Sequence, residues 1–356
     1  AAIVWMPTPA QCYFQQAGDG STDRITRWSS RSWNIRAGAS PGFHLRTVNP
    51  MLERHWKTWA AGVSGDGDEA PSVLVPLCGK AVDMPFLCEQ GFRVVGVEGV
   101  LRPILELRSE QRMRLKGFGP GVVMSRDAEG NWSEGAAFEA AKSFQGQRLG
   151  YVFKKGDRGV GYYADRPSVW RGKIRAGSRA ASPLQIIQGD MFEVTPELVQ
   201  AATFEKRGQF DLAFDRGGLV AVPPEARGEY VASTTGLLRK GGRLLLVTLD
   251  YDQSLVPIDP TGRRWSPPPF SVPESEVRRL FPADRWDIKV LDRQAEREIP
   301  ANSPAFTGVE ITEVVYLLTK KSDASAGGSM RTYLGGAALA LTAAGVAAVA
   351  LRQSGQ

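Results

Sequence analysis

Seven short apolar runs, most of them separated by helix-like stretches, restrict the fold of this chain more than any other feature. Such strand–helix alternation is typical of a doubly wound α/β sheet. The fifth run is apolar apart from Arg243 and Thr248, as expected for a central strand that helices cover on both faces. We expect the last two runs to pair antiparallel at one edge. The runs are 73–75, 93–97, 184–188, 210–214, 243–249, 287–291 and 312–318.

Proline and glycine mark the predicted bounds of the helices between these runs. One helix is predicted from Arg102 to Leu115, after the second run. Another begins at Pro223-Pro224, because proline is tolerated in a first turn, and ends at the pair Gly241-Gly242. The sequence therefore predicts a doubly wound, seven-stranded, Rossmann-like sheet.

Polar residues follow four of the predicted strands. Gly79 lies in the loop after the first strand, and Glu98 ends the second. Asp190-Met191 follows the third strand, and Asp215-Arg216 follows the fourth. Ligands of such sheets bind beyond the carboxyl ends of the strands, near the topological switch. An acid at the end of the second strand can accept hydrogen bonds from ribose hydroxyls, as in dinucleotide and adenosylmethionine sites.

Longer motifs surround these polar residues. They include GFH at 42–44, VPLCGKAVDM at 75–84, FDLAFDRGGLVA at 210–221 and PPFSVP at 268–273. Together, and in this order, they resemble the thiopurine S-methyltransferase family over about residues 28–320. The resemblance implies a class I methyltransferase domain that uses S-adenosylmethionine. Members of that family methylate sulfur, and relatives act on thiols, halides, and selenium or tellurium compounds, so the implied acceptor is a small thiol or halide.

The same resemblance implies a set of cofactor contacts. Leu77 and Gly79 would lie against the methionine part of S-adenosylmethionine. Glu98 would hold the ribose, while Asp190 and Met191 would surround the adenine. These residues follow three different strands of the predicted sheet, so the implied site lies along one edge.

Four further residues are implied on the acceptor side of the cofactor. Trp28 and Trp33 correspond to a tryptophan pair whose segment folds over the cofactor in that family. Phe43 resembles the residue between cofactor and substrate, and Arg216 resembles an arginine that faces both. The loop between Trp33 and Phe43 is longer than the family pattern.

The chemistry needs few catalytic groups, because the methyl group on a sulfonium is already activated. A cation such as Arg216 would favour the thiolate form of the acceptor, although arginine cannot act as a base at neutral pH. Two interpretations of Asp215 stay open: it accepts the proton, or it holds the backbone of the neighbouring loop. Cys78 is predicted to be a structural thiol, since methyl transfer needs no protein nucleophile.

A basic insertion separates Glu98 from Asp190. Residues 107–182 hold 15 Lys/Arg and 7 Asp/Glu, which is a net charge of +8, against +6 for the whole chain. We predict an inserted lobe at about 116–182. A solvated lobe without a specific partner, an anionic lipid, nucleic acid and an acidic partner all fit such a charge. Nucleic acid is not expected, because the lobe lacks regular aromatic interleaving.

The end of the chain carries a charge-free apolar segment. Residues 332–351 contain no Asp, Glu, Lys or Arg, and about 20 helical residues span the hydrocarbon core of a bilayer. We predict a single transmembrane anchor at 331–352 after a linker at 321–330; a buried Ala-rich helix is the alternative. An anchor and a basic lobe also fit a methyltransferase-like subunit of an organellar membrane complex with weak or lost catalysis.

Few residues of the sequence indicate the cellular compartment of the protein. Residues 1–27 are predicted to be an N-terminal extension, either the end of an organelle-targeting segment or a flexible tail. The chain has 3 cysteines, none in a C-x-x-C pair, and 2 histidines. This composition indicates a reducing compartment, either the cytosol or an organelle such as a chloroplast or mitochondrion, and does not favour a metal centre.

Overall fold

The described strands form three sheets, of which the largest carries the predicted site. The computed structural model describes residues 44–118, 123–126, 132–135, 138–146, 151–156, 158–164, 168–175, 181–256, 268–295 and 309–322. The strands are β1 (Ser72–Val75), β2 (Arg93–Glu98), β3 (Lys116–Phe118), β4 (Val123–Arg126), β5 (Trp132–Gly135), β6 (Phe138–Ala140), β7 (Tyr151–Gly156), β8 (Gly159–Ala164), β9 (Ser168–Ile174), β10 (Ser182–Gln188), β11 (Phe210–Arg216), β12 (Leu238–Asp250), β13 (Trp286–Ala295) and β14 (Thr312–Lys320). The helices are α1 (Pro50–Ala60), α2 (Asp83–Glu89), α3 (Leu101–Glu110), α4 (Pro196–Ala202), α5 (Arg227–Gly236) and α6 (Glu274–Leu280).

The large sheet has the order β13-β14-β12-β11-β1-β2-β10-β9-β3. Its five central strands run parallel, whereas β14 is antiparallel to both β12 and β13. The predicted seven strands and their antiparallel edge pair are confirmed, and β9 and β3 extend the opposite edge. The chain builds outward from β1 to β10 and then crosses to β11, on the other side of β1. The topological switch therefore lies between β1 and β11.

Each face of the sheet buries a separate hydrophobic core. In β2, Val94 packs with α1, α2 and α3, while Val95 and Val97 pack on the side of α5 and α6. This follows from the alternation of side chains along a strand. Gly96 lies on the first face, where an added Cβ would stand 2.7 Å from Cys78 Sγ and 2.8 Å from Met84 Sδ. The absence of a side chain there lets the loop after β1 pack directly on β2.

Two predicted helix ends were wrong. The helix after β2 ends at Glu110, and α5 ends at Gly236 rather than at Gly241-Gly242. That glycine pair lies inside β12, where the pairing with β11 shifts register and Gly241 adopts a φ of 74°. Glycine tolerates this left-handed conformation, so the pair forms an irregularity in a strand and does not end a helix.

The predicted insertion begins at β3 and is built from strands. Its described parts include a hairpin of β4 and β5 and a three-stranded sheet in the order β6-β8-β7. The insertion was predicted to extend to residue 182, but β9 within that range is part of the large sheet and pairs with β10 along its whole length.

Several predictions fall outside the described residues. They concern the extension 1–27, Trp28, Trp33 and Phe43, most of the linker and the anchor at 331–352. All described residues belong to the compact unit Ala1–Ser322. Within the described ranges, no helix has the length and apolar character needed to cross a membrane.

Candidate functional site

The loop after β1 brings backbone N–H groups to the carboxyl edge of the sheet. Leu77 has a φ of 44° and Gly79 a φ of 52°, both in the left-handed region. Glycine adopts this region freely, whereas for leucine it is strained, a feature that concentrates at functional sites. Cys78 N–H donates to the Val97 carbonyl over 2.9 Å, which ties the loop to β2.

The Glu98 carboxylate closes the end of β2 and is almost fully buried. Its Oε2 accepts a hydrogen bond from Gly79 N–H at 2.9 Å, and its Oε1 accepts one from Val100 N–H at 2.7 Å. Burial raises the pKa of Glu98 to about 7, although the hydrogen bonds from backbone N–H groups oppose this shift. The carboxylate thus joins the loop after β1 to the start of α3.

The turn after β10 lies beside Glu98. Gly189 N–H donates to the Glu98 carbonyl over 3.1 Å, so the next residue, Asp190, starts from the same edge. Asp190 is partly exposed and accepts a hydrogen bond from Phe192 N–H at 3.0 Å. The Met191 side chain is fully buried in the core under β1 and β2. The structure therefore places Leu77, Gly79, Glu98 and Asp190 around one edge, with the Met191 side chain pointing into the core.

Asp215 is buried and holds the loop that follows β11. Its Oδ1 accepts hydrogen bonds from Gly218 N–H at 3.0 Å and Leu219 N–H at 3.2 Å, and its Oδ2 accepts one from Tyr230 Oη at 2.9 Å. Burial raises its pKa to about 6. An added Cβ at Gly218 would stand 2.3 Å from Tyr230 Oη, so the loop requires glycine there. This geometry favours the loop-holding interpretation of Asp215.

Arg216 ends β11 and is partly exposed at the carboxyl edge. Its positive charge opposes the rise that burial causes in the pKa of Asp83, and it contributes to the lowered pKa of His44, so Arg216 lies within electrostatic reach of each. Desolvation, reinforced by the charges of Lys80 and Arg216, lowers the pKa of His44 to about 4. The imidazole is therefore neutral at physiological pH, and the cations that act on it are Lys80 and Arg216.

Sequence reasoning gave no role to two buried charged residues of the loop after β1. Asp83 begins α2 and accepts a hydrogen bond from Asn49 N–H at 2.7 Å, and burial raises its pKa to about 6. Lys80 is buried between Glu106 and Glu110 of α3, at 2.9 Å and 2.7 Å. The spacing of four residues between the two glutamates was the available signal, because it puts both on one face of a helix.

The Pro268-Pro269-Phe270 motif reaches the same edge from the far end of the sequence. Phe270 N–H donates to the Val220 carbonyl over 2.6 Å, beside the loop that follows Arg216. Val272 N–H donates to the Leu249 carbonyl over 2.7 Å at the end of β12. The motif thus lies next to the loop after β11.

Cys78 lies under this edge with a buried side chain. Burial raises the pKa of its thiol well above the ordinary value, and the charge of Glu98 raises it further. A protonated, buried thiol is a poor nucleophile. This environment agrees with the prediction of a structural cysteine.

Comparison with known proteins gives one consistent family. The sequence model of the thiopurine S-methyltransferase (TPMT) family matches residues 26–112 and 164–321. The thiopurine S-methyltransferase of Azotobacter vinelandii is 32% identical over 261 residues, 73% of this chain and 84% of that protein. The one of Pseudomonas entomophila is 31% identical over 297 residues, 81% of this chain and 98% of that protein. The gap in the family match falls on the insertion.

Proposed function

This chain belongs to the thiopurine S-methyltransferase family and is an S-adenosylmethionine-dependent methyltransferase; from that premise we propose that its acceptor is a small thiol or a related nucleophile such as a halide. The observation that carries the proposal is Arg216, a permanent cation at the carboxyl edge whose charge reaches Asp83 and His44. A thiolate or a halide is the kind of acceptor that such a cation favours.

The residues of the edge fit the cofactor by their hydrogen-bonding chemistry. Each Glu98 oxygen has two acceptor positions, and the N–H groups of Gly79 and Val100 take one on each oxygen. The Gly99 N–H also hydrogen-bonds the carboxylate, so one acceptor position is left for a ribose hydroxyl, and a second hydroxyl would replace one of the backbone N–H groups. Asp190 would accept from the adenine amino group, with the Met191 backbone beside the ring. When bound, S-adenosylmethionine supplies a methyl group that is already activated.

Leu77 and Gly79 would line the methionine part of the cofactor, because their left-handed backbone lets the loop approach a ligand closely. Trp28, Trp33 and Phe43 would cover the cofactor and separate it from the acceptor. Support for these three residues is the family resemblance of their segment alone.

Arg216 would bind the acceptor as its thiolate and aim it at the methyl carbon. Alignment of this kind is the main contribution a protein makes to a displacement whose electrophile is preactivated. The thiol would release its proton to solvent, since Arg216 stays protonated. Asp215 is then a positioning residue: its three hydrogen bonds hold the loop that follows Arg216.

The test is methyl transfer from labelled S-adenosylmethionine to a panel of small alkyl and aryl thiols, iodide and bromide, with purified full chain. We expect saturable methylation of at least one thiol or halide. The Arg216→Lys variant should lower the rate, whereas the same substitution at the opposite edge of the sheet, Arg239→Lys, should not. A folded protein that binds the cofactor but methylates none of these acceptors would overturn the proposed acceptor class.

We also propose that the segment at 331–352 attaches the protein to a membrane. The support is its sequence: residues 332–351 are free of charge, and Arg331 and Arg352 flank them. Deleting all residues after Ser322 should release folded protein to the soluble fraction in high salt, because β14 is complete at Lys320. Full-length protein that already fractionates as soluble without detergent would contradict this proposal.

A further inference from the structure

The three-stranded sheet of the insertion carries a cluster of unpaired cations. Lys142, Lys154, Lys155 and Arg158 are all exposed, and within the described ranges none of them forms an ion pair. The large sheet differs, since many of its surface cations have carboxylate partners; Arg278 and Arg279, for example, pair with Glu274 and Glu276 along α6. Lys154 and Lys155 lie on opposite faces of the sheet, and Glu139 is the one carboxylate in the described strands β6, β7 and β8. The described cations therefore outnumber the carboxylates, which favours an anionic ligand.

Exposed apolar side chains lie within the same small sheet. Phe144 is 59% exposed and Val160 is 39% exposed. The Tyr162 hydroxyl accepts a hydrogen bond from Gln145 N–H at 2.6 Å and donates one to the Gly146 carbonyl at 2.7 Å, so the segment that presents Phe144 is held against the sheet. The Phe144 ring contacts the rings of Phe153 and Tyr162 on one side only. Lys155 is paired with Val160 and shares the face on which Phe144 packs, so one face combines a lysine with exposed apolar side chains. This combination suits the boundary between lipid headgroups and acyl chains.

Two tyrosine rings of the same sheet are not available to a ligand. Tyr162 is 1% exposed and Tyr163 is 9% exposed. The Tyr163 ring packs against Phe138 with the ring centroids 4.7 Å apart, and Lys154 Nζ lies 5.3 Å from its centroid. Single-stranded nucleic acid needs open ring faces on which bases can stack. The buried tyrosines therefore disfavour nucleic acid as the partner.

We propose that the three-stranded sheet of the insertion, residues 138–164, binds the surface of a membrane that contains anionic phospholipid. Its lysines and arginine meet the headgroup charge, and Phe144 and Val160 enter the interface. The family sequence model leaves residues 113–163 unmatched, so this surface is an addition to the methyltransferase domain. The proposal does not depend on which acceptor the enzyme methylates.

The experiment is co-sedimentation of the full chain with phosphatidylcholine vesicles, prepared with and without phosphatidylserine. Residues 331–352 should contribute equally to binding of both vesicle types. The additional binding to vesicles with phosphatidylserine therefore measures the contribution of the charged surface. We expect a clear excess that falls as salt is raised. The double variant Lys142→Gln/Lys155→Gln should reduce the excess affinity about 30-fold, since each cation near such a surface contributes about 1 kcal/mol.

A matched control makes the same change of charge on the large sheet. The double variant Arg285→Gln/Lys289→Gln removes two exposed cations that form no ion pair with any described residue, and it should keep the full excess. Phe144→Ser should weaken binding to phosphatidylserine vesicles while leaving the salt dependence intact. Circular dichroism checks that each variant is folded.

Two results would overturn the proposal. One is an equal loss of excess binding in both double variants, which would show that binding depends on the net charge of the protein and not on this surface. The other is binding of a single-stranded oligonucleotide that depends on Lys142 and Lys155, together with no excess on phosphatidylserine; the surface would then be a nucleic-acid site.

Discussion

Buried carboxylates at the two ends of the large sheet have different partners. At the carboxyl end, Glu98 and Asp215 accept hydrogen bonds from backbone N–H groups, and neither forms an ion pair with a described residue. At the amino end, Glu205 pairs with Arg93 at 2.9 Å, and Asp211 pairs with Arg239 at 2.5 Å. Both ends bury acids, but only the amino end neutralises them with arginine.

This difference supports the proposal that the carboxyl end binds the cofactor and that the amino end is structural. A carboxylate without a cationic partner keeps its charge for the hydroxyl donors of a ligand, whereas an arginine partner already compensates that charge. Asp211 also accepts hydrogen bonds from the Ser72 backbone N–H and hydroxyl, so its capacity is largely used. The carboxyl end is accordingly the edge that can exchange internal hydrogen bonds for those of a cofactor.

Loss of the Glu98 carboxylate should give the largest effect on ligand binding. Glu98→Ala removes hydrogen bonds between a charged group and two ribose hydroxyls, and should weaken S-adenosylhomocysteine binding by about 1.5–3 kcal/mol. Isothermal titration calorimetry measures the loss. Unchanged affinity in a folded variant would remove Glu98 from the site.

The equivalent change at the amino end should affect stability without affecting affinity. Arg239→Ala leaves the Asp211 carboxylate buried without its charged partner, and should lower the free energy of unfolding by about 1–3 kcal/mol. Urea denaturation measures the stability, and the titration above measures affinity. If Arg239→Ala weakened ligand binding as much as Glu98→Ala does, the distinction between the two edges would fail.

Substitution of the cation should change the acceptor step more than cofactor binding. Arg216→Lys keeps the charge but loses the planar set of donors, so the methylation rate near neutral pH should drop about tenfold. The deficit should shrink at higher pH, where more of the acceptor is thiolate. The pH–rate profiles of both proteins with one alkyl thiol, at saturating cofactor, test this. A variant profile with the wild-type midpoint, merely scaled down, would mean that Arg216 only positions the acceptor.

The smallest expected effect is a pH dependence of cofactor affinity. Burial raises the pKa of Glu98 to about 7 in the free protein, and the carboxylate is the form that accepts two hydroxyl hydrogen bonds. Affinity for S-adenosylhomocysteine should therefore rise several-fold between about pH 6 and pH 8, with release of a proton on binding. Glu98→Gln, which cannot titrate, should bind weakly and show a flat profile; a steep profile in this variant would assign the titration to another group.

The central strands could be predicted from the sequence because a strand of this kind is determined by a short run of adjacent apolar residues. The run 243–249 has four consecutive apolar residues, Leu244 to Val247, so a strand buried on both faces is its simplest interpretation. The pair Gly241-Gly242 misled for the same reason: glycine ends helices and also permits strand irregularities, and only the pairing of β12 with β11 distinguishes the two. β9 was missed because its sequence, SVWRGKI, carries two cations and a glycine.

Site residues at the end of a strand could be predicted from the sequence. Contacts between segments that are distant in the sequence could not. Glu98 and Asp190 could be assigned to one edge from strand ends alone. The hydrogen bond between the Asp83 carboxylate and the Asn49 backbone N–H joins residues 34 positions apart, and no local sequence pattern predicts it. The role of Asp215 was open because loop-holding and proton acceptance need the same residue type; its three hydrogen-bond donors distinguish them.

A crystal structure of the chain with S-adenosylhomocysteine would test the central claim most directly. We predict that both ribose hydroxyls lie within hydrogen-bond distance of the Glu98 carboxylate, that the adenine lies beside Asp190, and that the Asp211–Arg239 pair is unchanged. A ligand bound away from the carboxyl ends of β1 and β2, or a Glu98 side chain that makes no contact with the ribose, would contradict the proposed site.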